Sequence, residues 1–217
     1  MSEKHHNKIS NPNFRLNVLD NGLRVITTEM PGVQSASISL LIGVGSRHET
    51  DQYAGVSHFL EHIVFKGTDR RPDPKLISGA IEGVGGIINA ETEQELTNYW
   101  CKVPANYVAE SLDLLLDMIR NSSIDENEVI KERDVIIDEL AMTHDHPEYQ
   151  VETLIDGMLW PDHPLSRDIG GTKETVCNIT PAILKDHIKK YYSPLNTVAV
   201  SYTHLRAHET LRYLVCR

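Results

Sequence analysis

His58-Phe59-Leu60-Glu61-His62 is the stretch on which the reading of this chain turns. Its histidines are four residues apart, so on a helix their imidazoles project from one face about one turn apart, with Glu61 beside them. The order H-x-x-E-H is the inverted form of the zinc-protease signature, and its parts follow from zinc chemistry. Neutral imidazole nitrogens bind the ion, and a carboxylate outside the ligand set takes a proton from the water that the metal polarises. His58 and His62 are therefore expected to hold one Zn2+, with Glu61 as the general base.

Chance is a weak competitor. With 11 His and 17 Glu in 217 residues, shuffling yields roughly 0.04 such pentapeptides per chain, a modest false-positive rate for a motif. The ordinary alternative is a helix that happens to carry two histidines. The flanks argue against it: Val56, Phe59, Leu60, Ile63, Val64 and Phe65 are apolar, which describes a buried helix carrying polar groups that are costly without partners. A metal is one such partner.

A catalytic zinc takes three protein ligands and keeps one position open, so a third donor is required. Residues 125–143 repeat apolar side chains at helical spacing (Val129, Ile130, Val135, Ile136, Ile137, Leu140, Ala141), and Asp125 with Glu128 forms a start signal of the capping-box kind. This helix carries Glu132 and Glu139, seven residues and so two turns apart on nearly the same face. Either glutamate alone would by default face solvent.

These features resemble the pitrilysin/insulinase-type zinc peptidases, most closely the branch of mitochondrial processing peptidase and its bacterial relatives. Glu139 follows His62 after 76 intervening residues (63 to 138), at the interval of the family's pattern. The resemblance implies that His58, His62 and Glu139 are the ligands, that Glu61 is the base, and that Glu132 is the second helix glutamate that supports catalysis. Asp138 would point about 100° away if Glu139 faces the metal. The likeness continues through Gly45-Ser46-Arg47 and Glu49, Phe65-Lys66-Gly67-Thr68, Gly86 to Thr92 with Thr97 and Tyr99, His163 to Arg167, Gly170-Gly171-Thr172, and Tyr191 to Asn196. It covers residues 14–200.

The coarse layout agrees. Residues 14–19 and 23–29 alternate around Asp20-Asn21-Gly22, a hairpin signal, and 35–45 forms a third strand. Helical patterns occupy 54–66, 74–84, 104–121, 125–143, 147–159 and 180–191, with Pro104 suited to a first helical turn. Strands fit 86–91 and 95–103, and another begins over 196–200. This order predicts an α+β fold, a largely antiparallel sheet with helices packed on one side.

Residues 14–200 are expected to form one domain, and residues 1–13 to be disordered. Apolar content of 40% and charged content of 24% are ordinary for a globular chain. No apolar run approaches the roughly 18 residues of a membrane span, and the polar start is neither a secretion signal nor a mitochondrial address, so the expected location is cytoplasmic. Three cysteines are too few and too scattered for a disulfide scaffold or a thiolate site. The net charge of −10 argues against nucleic acid. Residues 201–217 resemble translated sequencing-adapter sequence, so His204 and His208 are given no role. His144 and His146 are expected to be solvent-facing histidines of a loop.

The expected activity is that of a zinc-dependent endopeptidase acting on unfolded peptides or processing segments. An extended substrate should add as a strand at residues 86–92, with Asn89 and Ala90 contacting it and Phe59 lining the cleft. By resemblance, a second homologous domain or subunit closes the chamber and contributes groups that hold the substrate and its oxyanion. A non-catalytic assembly subunit is the alternative, usually marked by loss of a ligand, whereas His58, Glu61, His62 and Glu139 are all present here.

Overall fold

The computed structural model describes residues 10, 11 and 14 to 203. Seven strands, β1 (Ser10–Asn11), β2 (Phe14–Val18), β3 (Arg24–Glu29), β4 (Ser35–Ile42), β5 (Ile87–Thr92), β6 (Thr97–Pro104) and β7 (Thr197–Thr203), form one sheet. Their order is β1-β2-β3-β7-β4-β6-β5. Every neighbouring pair is antiparallel except β3 and β7. Among the described residues seven α-helices accompany it: α1 (Val56–Ile63), α2 (Pro74–Glu82), α3 (Val108–Asn121), α4 (Glu126–His144), α5 (Pro147–Leu159), α6 (Lys173–Asn178) and α7 (Pro181–Tyr191). The α+β class expected from the sequence is the class observed.

The period of two in β4 makes the core. Ala36, Ile38, Leu40 and Ile42 are buried while the residues between them stay partly exposed, so one face of the sheet is apolar and receives the helices. Phe59, Leu60 and Ile63 of α1 and Leu112, Leu115 and Met118 of α3 join that core. Each such burial is worth roughly 1.5–3 kcal/mol, enough to hold α1 even though its other face is polar.

Several expectations are corrected. Ser10 and Asn11 pair with Arg15 and Phe14, because the outer edge of β2 offers unsatisfied backbone groups; the rest of 1–13 lies outside the described residues. Pro104 does not open a helix but ends β6 opposite Ser35, where a missing N–H interrupts no further ladder, and α3 begins at Val108. Helix α6 has no counterpart among the helices expected from the sequence, because its capping box uses Thr172 and Thr175 rather than a glutamate. Strand β7 runs three residues past Val200, with Ser201 opposite both Thr27 and Ile38. Two flanking strands template any backbone that follows, whatever its side chains; residues 204–217 lie outside the described residues. His144 ends α4 and His146 caps α5, so neither belongs to an extended loop.

Helix α5 has no buried residue. Val151, Leu154, Ile155, Met158 and Leu159 on it are exposed, Met158 at 82%.

The buried histidine of α7 couples stability to pH. His187 is 6% exposed and its Nε2 lies 3.2 Å from Ser57 Oγ on α1. Burial, aided by the Lys190 charge, pushes its pKa from 6.5 down to about 4. The unfolded chain therefore binds the extra proton between those values, so the contribution of His187 is complete above pH 6.5 and is lost as pH falls towards 4. We expect urea titrations at pH 7 and pH 5 to show a fall in unfolding free energy that is smaller by up to about 2 kcal/mol in His187→Gln. Equal falls in both proteins would show that the ring does not titrate this way.

Candidate metal centre

Helix α1 is held at both ends by residues outside it. The Glu49 carboxylate accepts hydrogen bonds from the backbone N–H groups of Gly55 (2.7 Å) and Ser57 (2.8 Å). It thereby satisfies donors that a helix start leaves unpaired and places negative charge at the positive end of the dipole. Gly55 has φ +92°, and a Cβ there would stand 2.3 Å from Gly170 O, so the position admits no side chain. Burial raises the Glu49 carboxyl pKa, opposed by those hydrogen bonds and by the Arg167 charge. Arg167 also donates to Glu49 O at 3.0 Å.

Beyond its last turn α1 closes on Gly67, at φ +141°. Along the helix, Val56, Phe59, Leu60 and Ile63 are buried, which turns His58, Glu61 and His62 to the opposite side. Phe59, expected to line the cleft, is 0% exposed. One residue of helix rotates it about 100° from His58, into the core.

Helix α4 supplies the carboxylates. Asp125 caps it, accepting from Asn127 N (2.9 Å) and Glu128 N (3.3 Å). The Glu128 side chain completes no capping box and pairs with Lys131 instead. Val129, Glu132 and Ile136 are the buried residues of this helix, a stripe that lies against α1 and points Glu139 to the same side two turns beyond Glu132. Ile130 and Val135, counted in the apolar pattern, are about half exposed.

The two helices bring His58, His62 and Glu139 together, with one ligand atom of each within 4.8 Å of the others. His58 Nε2 and His62 Nε2 are 3.3 Å apart. Glu139 Oε1 lies 3.7 Å from His58 Nε2, and Oε2 lies 3.3 Å from His62 Nε2. Tetrahedral zinc with bonds near 2.0–2.1 Å separates its ligand atoms by about 3.4 Å, so the two ring nitrogens stand at that spacing and the two oxygens of the Glu139 carboxylate lie close to it, each from one ring. Burial first, and the neighbouring His62 second, lower the pKa of His58, which favours the neutral imidazole that a metal needs.

His62 is oriented from behind. Its Nδ1 donates to Glu132 Oε1 at 2.9 Å, and Glu132 Oε2 lies 2.6 Å from Lys66 Nζ. With the hydrogen on Nδ1, the lone pair of Nε2 faces His58 and Glu139. Burial alone would raise the Glu132 carboxyl pKa; the bonds from His62 and Lys66 outweigh it and leave the group below its usual value. On His58, by contrast, Nδ1 is buried with no hydrogen-bond partner. The nearby Asp168 carboxylate acts on this ring by charge and is itself bonded to His144 Nε2 (3.0 Å) and Gly170 N (2.9 Å).

Glu61 stands beside His62 and accepts from Thr92 Oγ1 on β5 at 2.6 Å. Burial raises its carboxyl pKa, with the Thr92 bond opposing. Strand β5 ends the sheet order, so one of its edges has no neighbour among the described residues. Asn89 is exposed, Ala90 is 7% exposed, and Ala90 N donates to Asn89 Oδ1 at 2.9 Å.

Glu49, Lys66 and Thr92 had no role assigned from sequence. Lys66 and Thr92 act across the fold, and Glu49 reaches Gly55 and Ser57 through a bend of six to eight residues, so none sits at a helical or strand spacing that marks it, and only their place in family-like segments singles them out. A cavity of about 1010 Å3 lies elsewhere, between the sheet and α3, lined by Leu40, Ile42, Arg70, Arg71 and Tyr192 among others. None of the three clustered donors lines it, and its size alone is no argument for chemistry.

Comparison with known proteins agrees with this geometry. The family model "Insulinase (Peptidase family M16)" matches residues 24–173. The zinc protease YmxG of Bacillus subtilis is 38% identical over 174 residues, 80% of this chain and 42% of its own length. A probable mitochondrial-processing peptidase subunit beta of Arabidopsis thaliana is 37% identical over 189 residues, 87% of this chain and 35% of its own. The crystal structure of a putative M16-like peptidase from Alicyclobacillus acidocaldarius superposes with a TM-score of 0.85 at 25% identity, covering 95% of this chain and 49% of that one. The crystal structure of pitrilysin gives 0.84 at 25% identity, with 98% and 23% covered. The chain thus spans less than half the length of these relatives, and by sequence and fold it belongs to the M16 (insulinase) peptidase family.

Proposed function

We propose that this chain is the zinc-holding half of a metalloendopeptidase that cleaves extended peptides or processing segments. The observation that carries the reading is the convergence of His58 Nε2, His62 Nε2 and the Glu139 carboxylate, whose nearest atom pairs are 3.3 to 3.7 Å apart, close to the ligand spacing around a tetrahedral ion. His58, His62 and Glu139 would hold one Zn2+, which supplies Lewis acidity toward the scissile carbonyl and toward water. Glu61 takes the proton of the attacking water at its carboxylate and returns it to the leaving amine. Its raised pKa suits both halves of that transfer, and Thr92 holds the carboxylate in place. Glu132 keeps His62 in the tautomer that offers Nε2.

The substrate adds as a further strand along the open edge of β5, its carbonyl replacing the Asn89 side chain as acceptor for Ala90 N–H. Main-chain pairing imposes an extended conformation with weak dependence on sequence. No helix among the described residues is long and apolar enough to cross a membrane.

The partner is a second homologous domain, in the same polypeptide or as a separate subunit. Two observations support it: the matched relatives are more than twice as long as the aligned segment, and α5 presents an uncovered apolar face. No Lys or Arg occurs from Asp134 to Ser166, while eight acidic residues do, so the covering surface should be apolar at its centre and basic at its rim.

In the protein completed by its second domain, Glu61→Gln should retain zinc in metal analysis while peptide hydrolysis falls at least about 100-fold. A Gln variant with undiminished hydrolysis would remove Glu61 as base. Chelation should abolish cleavage and zinc should restore it. Ala90→Pro should raise KM for extended peptides while zinc content is unchanged, because proline removes the edge donor; an unaltered KM would place the substrate elsewhere.

A further inference from the structure

We propose that Lys66 is a positioning residue for the metal centre, acting through Glu132 on His62. This inference rests on the zinc reading above but is tested separately from it. Phe65-Lys66-Gly67-Thr68 closes α1, with Lys66 N donating to Ile63 O at 3.0 Å. The turn is then fastened to the segment that leads into α4. Ser123 N and Ser123 Oγ donate to Gly67 O at 3.1 and 3.2 Å, Thr68 forms a bridge with Ser122, and Thr68 Oγ1 donates to Asp117 Oδ2 at 2.7 Å. One short turn therefore sets where the end of α1 meets the start of α4, and Lys66 extends from it across the helix contact.

The Glu132 carboxylate is 6% exposed and divides its two oxygens. Oε2 receives Lys66 Nζ at 2.6 Å, and Oε1 receives His62 Nδ1–H at 2.9 Å. A buried carboxylate held at one oxygen by an ammonium cannot rotate without breaking an ion pair in a poorly solvated place. The other oxygen is thereby fixed at the position that keeps the hydrogen of His62 on Nδ1 and its Nε2 lone pair toward His58 and Glu139. Without Lys66, Glu132 keeps a single partner and the orientation of the imidazole loosens. Partners behind a ligand histidine typically change metal affinity 10- to 100-fold.

The test uses the 217-residue chain and zinc alone, with affinity read by competition against a chromophoric chelator. Lys66→Met should weaken zinc binding by about 10- to 100-fold, while Lys66→Arg, which keeps a cationic donor, stays within a few fold of the parent. Glu132→Gln should show a similar loss, and the double variant Lys66→Met/Glu132→Gln no more than the Glu132→Gln single, since both act through one contact. Unaltered affinity in Lys66→Met, or losses that add in the double variant, would overturn the proposal. Nitrogen-15 NMR of the metal-free chain gives an independent readout: His62 should carry its hydrogen on Nδ1 in the parent and become a tautomer mixture in Lys66→Met. An unchanged His62 signal would also overturn it. A parent chain that binds no zinc would instead refute the metal reading, and the NMR comparison would still decide the role of Lys66. Should Lys66→Met fail to fold, Lys66→Gln takes its place in both measurements.

Discussion

The contact of α1 with α4 is the constraint on which the rest of this structure turns. Neither helix carries a metal site alone: α1 offers two imidazoles, α4 offers a carboxylate two turns along from the buried Glu132, and only their packing brings the donor atoms within ligand distance. That contact places a carboxylate, an ammonium and two imidazoles in a region where isolated charges are costly. The arrangement is tolerated because the charges are paired in sequence, Lys66 to Glu132 to His62. Hydrophobic burial of Phe59, Leu60 and Ile63 on the far face of α1 supplies the free energy that holds this polar face in position.

The sheet serves the same end from the other side. Strand β4 anchors the core through alternate apolar residues, β6 pairs with it along eight residues, and β5 is thereby carried to the sheet edge beside Glu61. The edge is otherwise a hazard, since unpaired backbone groups invite association. Here the same row of donors and acceptors is where an extended peptide would lie, and the Thr92 to Glu61 bond ties that row to the carboxylate proposed as the base. Binding and chemistry would then share one structural element.

Helix α5 carries an apolar face that no described residue covers. Lying within a stretch that has acidic but no basic side chains, that face is the kind of surface on which the proposed second domain would sit. The matched relatives are more than twice as long as the aligned segment.

Much of this was legible in the chain itself. The four-residue spacing of His58 and His62, the apolar flanks of that helix and the periodicity of residues 125–143 are local, and local spacing survives in one dimension because helices repeat every 3.6 residues. The hairpin of β2 and β3 and the α+β class follow from the same kind of pattern. Which glutamate of α4 meets the histidines was not fixed by spacing, because Glu132 and Glu139 share a face; family likeness favoured Glu139, and the helix crossing puts it at the ring nitrogens and Glu132 behind them. The capping of α1 by Glu49, the span from Lys66 to Glu132 and the burial of Phe59 were decided only by tertiary structure. Those contacts span a large separation in the chain (Lys66 to Glu132), follow an irregular bend (Glu49 to Gly55) or are set by which face of a helix the core claims, and no local periodicity encodes them.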